Sequence, residues 1–208
     1  MIAIVTTNSV NLKDHIKLKN IKKLKAVGEL DLISGNSILL KDEVLFFKSK
    51  GSKVELRVLL KWLKKNFNIT SIIFFDFVKP INNNLLGNHI IIPKKLFSIE
   101  DPPLEWSNNP LINNIEIDSK ISKKIRKVIY STNYDFLYGD ILSIDKKSFN
   151  ATVINELRGL NSFDGLNYLI YTANKFAKEN NIDIYNICIG SSKNMANLKF
   201  ESLFKGLI

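Results

Sequence analysis

Apolar residues along this chain fall into short blocks separated by polar turns, with two stretches at helical spacing. Ile2–Thr6 opens as a compact apolar run and predicts a buried strand. Leu30–Ile33, Ile38–Leu40 and Val44–Phe47 read as further strands, the last two joined by Lys41-Asp42-Glu43 as a hairpin. Ser52 then stands where an N-cap belongs. The apolar positions Val54, Val58, Leu59, Trp62 and Leu63 make one stripe of a helix, leaving Lys61, Lys64 and Lys65 outside it. Ser71–Phe77 predicts a buried strand, Asn82-Asn83-Asn84 a turn, His89–Ile92 a strand and Ile99–Asn114 an extended loop. Ser119–Val128 reads as a basic helix running into strand-like Val128–Ser131, and Phe136–Ile144 contains a strand. Phe149–Leu160 reads as a helix. Asp164 is placed as the cap of a second strong helix with the stripe Leu166, Leu169, Ile170, Ala173, Phe176 and Ala177. Ile182–Ile189 predicts a strand, and Phe200–Ile208 a short amphipathic segment. Buried strands alternating with amphipathic helices predict an α/β fold, a three-layer arrangement of a mixed central sheet with helices on both faces.

The apolar content, 45% of 208 residues, suits one domain spanning 1–208. Its longest apolar runs are too short to cross a bilayer, and the N-terminus reads as a strand, not a signal peptide. Cys188 is the single cysteine, so no disulfide framework is expected and a cytoplasmic location follows. The net charge of +10 raises nucleic acid or anionic lipid as partners. Nearly all of this charge is Lys, however, and Arg occurs only at Arg57, Arg126 and Arg158. The clusters Lys17–Lys25, Lys61–Lys65 and Lys120–Lys127 fall on different elements. The aromatic within them, Trp62, is assigned to a buried stripe and so is not free to stack on bases. Neither nucleic acid nor a membrane is therefore the expected partner.

In α/β sheets, ligands gather at the carboxyl ends of strands, which directs attention to the residues after Val5, Phe47, Phe75 and Ile187. Lys48-Ser49-Lys50-Gly51-Ser52 leads into a helix N-terminus, whose free N–H groups favour an anion or serve as an ordinary cap. Asp76 is a lone carboxylate at the end of a buried strand, either a catalytic candidate with a raised pKa or a turn cap or partner of nearby Lys79. Thr6–Asn11 carries no acid, and the segment Cys188–Asn194 is polar without an acid or base. His15 and His89 have no metal-ligand spacing around them, and no nucleophile motif is present. No cofactor is called for.

Several segments, in order, resemble the nucleoside phosphorylase/nucleosidase superfamily, and within it the methylthioadenosine/S-adenosylhomocysteine nucleosidases. The family's opening I-x-I-I-G-A-M-x-x-E corresponds to Ile2–Asn11. Its S-G-I-G-K loop corresponds to the end of VLFFKSKGSK (Val44–Lys53), which keeps Ser49 and Lys53 and puts Lys50 and Ser52 at the glycines. N-T-G-x-A-G-G-L falls on FFDFVKPI (Phe74–Ile81) and G-D-V-V on Gly87-Asn88-His89-Ile90. S-G-D-x-F falls on Tyr138-Gly139-Asp140-Ile141-Leu142. The Met-Glu helix start and the following I-R-x-I-S-D strand are echoed by Asn167–Ala177 and Asn181–Ser192.

The resemblance implies a purine nucleoside as ligand, a homodimer, and a site drawn from Ser49, Gly51, Asp140, Leu142, Tyr168, Ser191 and Ser192. It also implies lost catalysis. Ser192 stands at the place of the family's general acid, Tyr168-Leu169 replaces the Met-Glu ribose clamp, and Ser9, Val10 and Asn11 replace the water-activating Glu. Asp76, Val78, Lys79 and Pro80 replace small residues of the sugar pocket. Losing a general acid alone costs roughly 10²–10⁴ in rate. A degenerate enzyme of this kind either retains nucleoside binding or acts as an interaction protein, and two alternatives stand beside it: an active nucleosidase in which Asp76, Asp140 or Asp164 supplies the carboxylate, and a basic nucleic-acid-binding module.

Overall fold

A computed structural model describes residues 1–7, 17–24, 31–49, 52–81, 90–99, 112–132, 134–144, 152, 155, 163–190 and 200–207. Among these, eleven strands form one mixed sheet. At its centre run β1 (Ile2–Thr7), β4 (Asp42–Ser49), β5 (Ser71–Phe77) and β11 (Asp183–Ile189), all parallel in the spatial order β4-β1-β5-β11. Their near-continuous apolar sequences follow from burial on both faces. Beyond β4 lie β3 (Asp31–Ser37) and the edge strand β2 (Leu18–Leu24), each antiparallel to the strand before it. On the other side, β11 pairs antiparallel with β7 (Ile90–Ile99), which also holds β8 (Ile112–Glu116) and β9 (Phe136–Ser143). β10 (Gly165–Asn167) follows β9 in parallel, and the two-residue β6 (Lys79–Pro80) pairs with β10.

Side-chain alternation splits the core into two layers. Ala3, Val5, Ile72, Phe74, Ile184 and Cys188 point to one face, where α1 (Lys53–Asn66) and α3 (Ile170–Glu179) pack. Ile2, Ile4, Ile73, Phe75, Tyr185 and Ile187 point to the other, under α2 (Ser119–Ser131) and α4 (Phe200–Lys205). This is the three-layer α/β arrangement that the alternating pattern implies.

Several elements differ from the sequence expectation. Ile38–Leu40 is a turn, because Ser37 pairs with Asp42 and Lys41 closes the loop at a φ of 52°. Lys17–Lys25 is a charge cluster by composition, yet Leu18–Leu24 is an edge strand with a bulge between Lys19 and Lys22. Lysine-rich edges are a usual way to keep a bare strand from pairing with other chains.

In α1, Ser52 does cap the helix, its Oγ accepting from the Glu55 N–H at 3.2 Å. The face it buries, however, is Leu56, Leu59, Leu60 and Leu63, while Val54 and Val58 are 72% and 46% exposed. Two apolar stripes compete on this helix, and the Leu stripe removes more apolar surface from water.

Val128–Ser131 completes α2 instead of forming a strand, and Val128 and Ile129 are buried on the same helical face as Ile125. Asp164 does not cap α3, because β10 intervenes. The six apolar positions expected for that helix's stripe are nevertheless all buried. Of the loop expected over Ile99–Asn114, Ile99 ends β7 and Ile112–Asn114 belong to β8. Of the helix expected over Phe149–Leu160, Thr152 and Asn155 are helical and exposed. The remainder of both segments, with Asn82–Asn84 and His89, lies outside the described residues.

Candidate functional site at the strand ends

The parallel centre of the sheet brings Ser49, Thr7, Asp76 and Cys188 to one end: Ser49 pairs with Thr7 in the β1–β4 ladder, and Asp76 pairs with Cys188 in β5–β11. β6 then carries the chain across. Val78 N–H donates to the Ile189 carbonyl at 2.8 Å and Ile81 N–H to the Asp164 carbonyl at 2.9 Å, which ties the end of β5 to the start of β10. This crossing delivers Asn167 to Asp76.

Asp76 is 2% exposed. Thr7 Oγ1 donates to its Oδ1 at 2.7 Å, and Asn167 Nδ2 donates to its Oδ2 at 2.8 Å. The same Asn167 amide donates to the Phe77 carbonyl at 2.8 Å, and its Oδ1 accepts the N–H groups of Leu169 and Ile170 at 2.9 and 2.8 Å. One asparagine thus satisfies the N–H groups at the start of α3, closes the end of β5 and holds a buried carboxylate.

Burial lifts the Asp76 carboxyl to about 6, against the opposing pull of the Thr7 and Asn167 side chains and the Phe77 backbone. Burial, followed by the negative charge of Asp76, also raises the Tyr168 phenol and pushes the Cys188 thiol well up. Cys188 is accordingly a core residue held in its thiol form, not a nucleophile.

Of the residues that the family resemblance assigns to a site, Ser49 is fully buried beside Thr7. Tyr168 is half-buried next to the Asp76 cluster, its carbonyl accepting from Ser143 Oγ at 3.0 Å. Leu169, at the implied ribose clamp, is wholly buried.

Asp140 and Leu142 lie on β9. Leu142 is in the core, and Asp140 belongs to a separate network at a bulge in β7 between Pro93 and Leu96. There, Lys95 N–H donates to Asp140 Oδ1 at 3.2 Å, and Asp140 N–H donates to Asp164 Oδ2 at 2.8 Å. Gly139 lets this corner close, since a Cβ on it would stand 3.3 Å from Asp164 Cβ. Gly51, Ser191 and Ser192 lie outside the described residues. A cleft of about 470 Å³ is lined by Asn20, Lys22, Gly35, Asn36 and Glu43 at the β2 edge, three strands away from β1.

Thr7 and Asn167 escaped the sequence reading. The signal for Asn167 was present, an Asn just before the apolar periodic run, but Asp164 offered the same cue three residues earlier. Among the described residues, no group of three His, Cys, Asp or Glu side chains is placed to hold a metal ion. No described helix is long and apolar enough to cross a membrane.

No family model and no curated protein sequence matches this chain. Solved structures do. A Helicobacter pylori methylthioadenosine/S-adenosylhomocysteine nucleosidase superposes with a TM-score of 0.77 at 12% identity, covering 100% of this chain and 98% of that one. The Streptococcus pneumoniae nucleosidase of the same kind, held with a transition-state inhibitor, gives 0.74 at 14% identity and 100% of each chain. Helicobacter pylori futalosine hydrolase gives 0.73 at 12% identity, over 98% of this chain and 93% of that one. The chain is similar to these nucleosidases over its whole length in fold, while most of its residues differ.

Proposed function

We propose that this protein, built on the nucleosidase fold, is catalytically degenerate and holds a purine nucleoside without cleaving it. The observation that carries this reading is that both oxygens of Asp76 are taken up by Thr7 and Asn167, with Leu169 buried where a ribose-binding carboxylate is implied. Cleaving an N-glycosidic bond requires a proton for the departing base and negative charge beside the ribosyl cation. Together these must lower the barrier by about 8 kcal/mol or more. A carboxylate committed to holding strand ends together is poorly placed for either task.

Nucleoside binding draws support from the inhibitor-bound structures of similar fold and from Tyr168, whose half-buried ring offers an apolar surface beside the strand ends. Ser49, Gly51, Asp140, Leu142, Ser191 and Ser192 complete the proposed ligand-binding set, and a cytoplasmic homodimer is part of the same reading.

Incubation with methylthioadenosine, S-adenosylhomocysteine, adenosine and inosine, with and without phosphate, is expected to release no free base. Calorimetry with the same nucleosides is expected to show binding that Tyr168→Ala weakens. Turnover at ordinary enzymatic rates would overturn the degenerate reading.

One observation favours a second reading, an active nucleosidase with a rearranged site: a carboxyl raised to about 6 is poised near neutrality for proton transfer. That reading requires activity with an inflection near pH 6 that disappears in Asp76→Asn.

A further inference from the structure

On the sheet face opposite Asp76, the structure carries a second surface that the nucleoside reading does not use. Along α2, Lys123, Arg126, Lys127 and Tyr130 are all exposed and follow the i, i+3, i+4, i+7 spacing of one helical face. At 1.5 Å per residue this track is about 10 Å long. No described ion pair neutralises its three cations. At its end Tyr130, 65% exposed, meets the Phe136 ring edge-on at 5.1 Å and 80°. Phe136 in turn meets Tyr138, 37% exposed, at 5.8 Å and 87°. The lysine cluster at 120–127 lacks an aromatic in sequence. The fold supplies three, one from the last turn of the helix and two from the start of β9.

We propose that this face binds single-stranded nucleic acid, with phosphates along Lys123, Arg126 and Lys127 and unpaired bases against the Tyr130–Phe136–Tyr138 ladder. A positive track beside the exposed rings of Tyr130 and Tyr138, with the half-buried Phe136 between them, is the combination that sequence-tolerant single-strand binding uses. Rings standing on a helix end and a strand start can reach bases only where these are unstacked, so a duplex fits poorly. The exposed aliphatic side chains that a bilayer surface would take up, Ile21, Ile38, Val54 and Val58, lie on other elements. Asp135, exposed between Tyr134 and Phe136, is the carboxylate in the described part of the 132–135 connection, against three cations on the track.

The test is fluorescence anisotropy of the full chain with a labelled twelve-nucleotide oligothymidine, its duplex with oligoadenine, and phosphatidylserine vesicles, between 50 and 200 mM salt. The expected result is binding to the single strand with a log–log salt slope of about −2, from three neutralised phosphates at about −0.7 each. Binding should weaken about tenfold in Tyr130→Ala and in Tyr138→Ala and be retained in Tyr130→Phe. The triple change K123Q/R126Q/K127Q should weaken binding and flatten the slope, whereas K19Q/K22Q on β2 should leave it unchanged. No binding at 50 mM salt overturns the proposal. So does equal loss in K19Q/K22Q, which would mean undirected charge attraction, and so does Tyr130-dependent vesicle binding in preference to the oligonucleotide.

Discussion

Asp76 is the residue at which the strand ends, the start of α3 and the acid–base chemistry of this molecule meet. Because burial lifts its pKa from 3.8 to about 6, the folded chain binds this proton more tightly than the unfolded chain does. The stability that this confers is complete below about pH 4 and is lost as pH rises through about 6. The interval corresponds to roughly 3 kcal/mol. Asp76→Asn should abolish that dependence. An Asn can still accept from Asn167 and donate to the Thr7 hydroxyl, which can turn to accept. Urea denaturation at pH 4, 5.5 and 7.5 is expected to show the wild type losing stability relative to the variant across this range. Parallel curves for the two proteins would mean that Asp76 is not the group that titrates. Position 76 was legible in the sequence as a lone acid ending a buried strand. Its partners were not, because Thr7 lies 69 residues away and Asn167 lies 91 residues away, and only the crossing through β6 brings the latter in.

At the scale of elements, α1 shows how local pattern and tertiary packing can diverge. Val54, Val58 and Trp62 repeat every four residues and look like a core stripe, but the sheet and α3 receive Leu56, Leu59, Leu60 and Leu63. Leu60→Ala should therefore cost about 2–5 kcal/mol, and Val58→Ala should stay within about 0.5 kcal/mol, both read from chemical denaturation. Similar losses at the two sites would reassign the buried face. Elements whose sequences are mostly apolar, Ile2–Thr7 and Ser71–Phe77, were readable nearly to the residue, because burial on both faces concentrates apolar residues in one short run. β2 was hidden under its lysines, and the last turn of α2 was hidden by the β-branched residues Val128 and Ile129, which favour strands in isolation. A reciprocal amide pair was equally unreadable: Asn174 and Asn186 each donate to the other at 2.9 and 3.0 Å, fixing α3 against β11 inside the core. Polar residues in a buried strand and a buried helix face carry no sign, in sequence alone, of having found one another.

At the scale of the whole molecule, most ladders join residues far apart in the chain, and β11 is the strand on which the two halves of the sheet meet. One of its edges holds β5, with β1, β4, β3 and β2 beyond it, and the other holds β7, with β9 and β10 beyond it. Pairings of this kind form slowly, since loop closure must come before the contacts that reward it. Refolding after dilution from denaturant is expected on the millisecond-to-second scale, and stopped-flow tryptophan fluorescence would measure it; microsecond refolding would contradict this topology. The same arrangement has a meaning for synthesis. A ribosome delivers residues 183–189 only after both half-sheets exist as sequence, so β5 and β7 wait with open, apolar edges of the kind that invite pairing with other chains. The interval before β11 emerges is the time at which a growing chain most needs shelter from its neighbours.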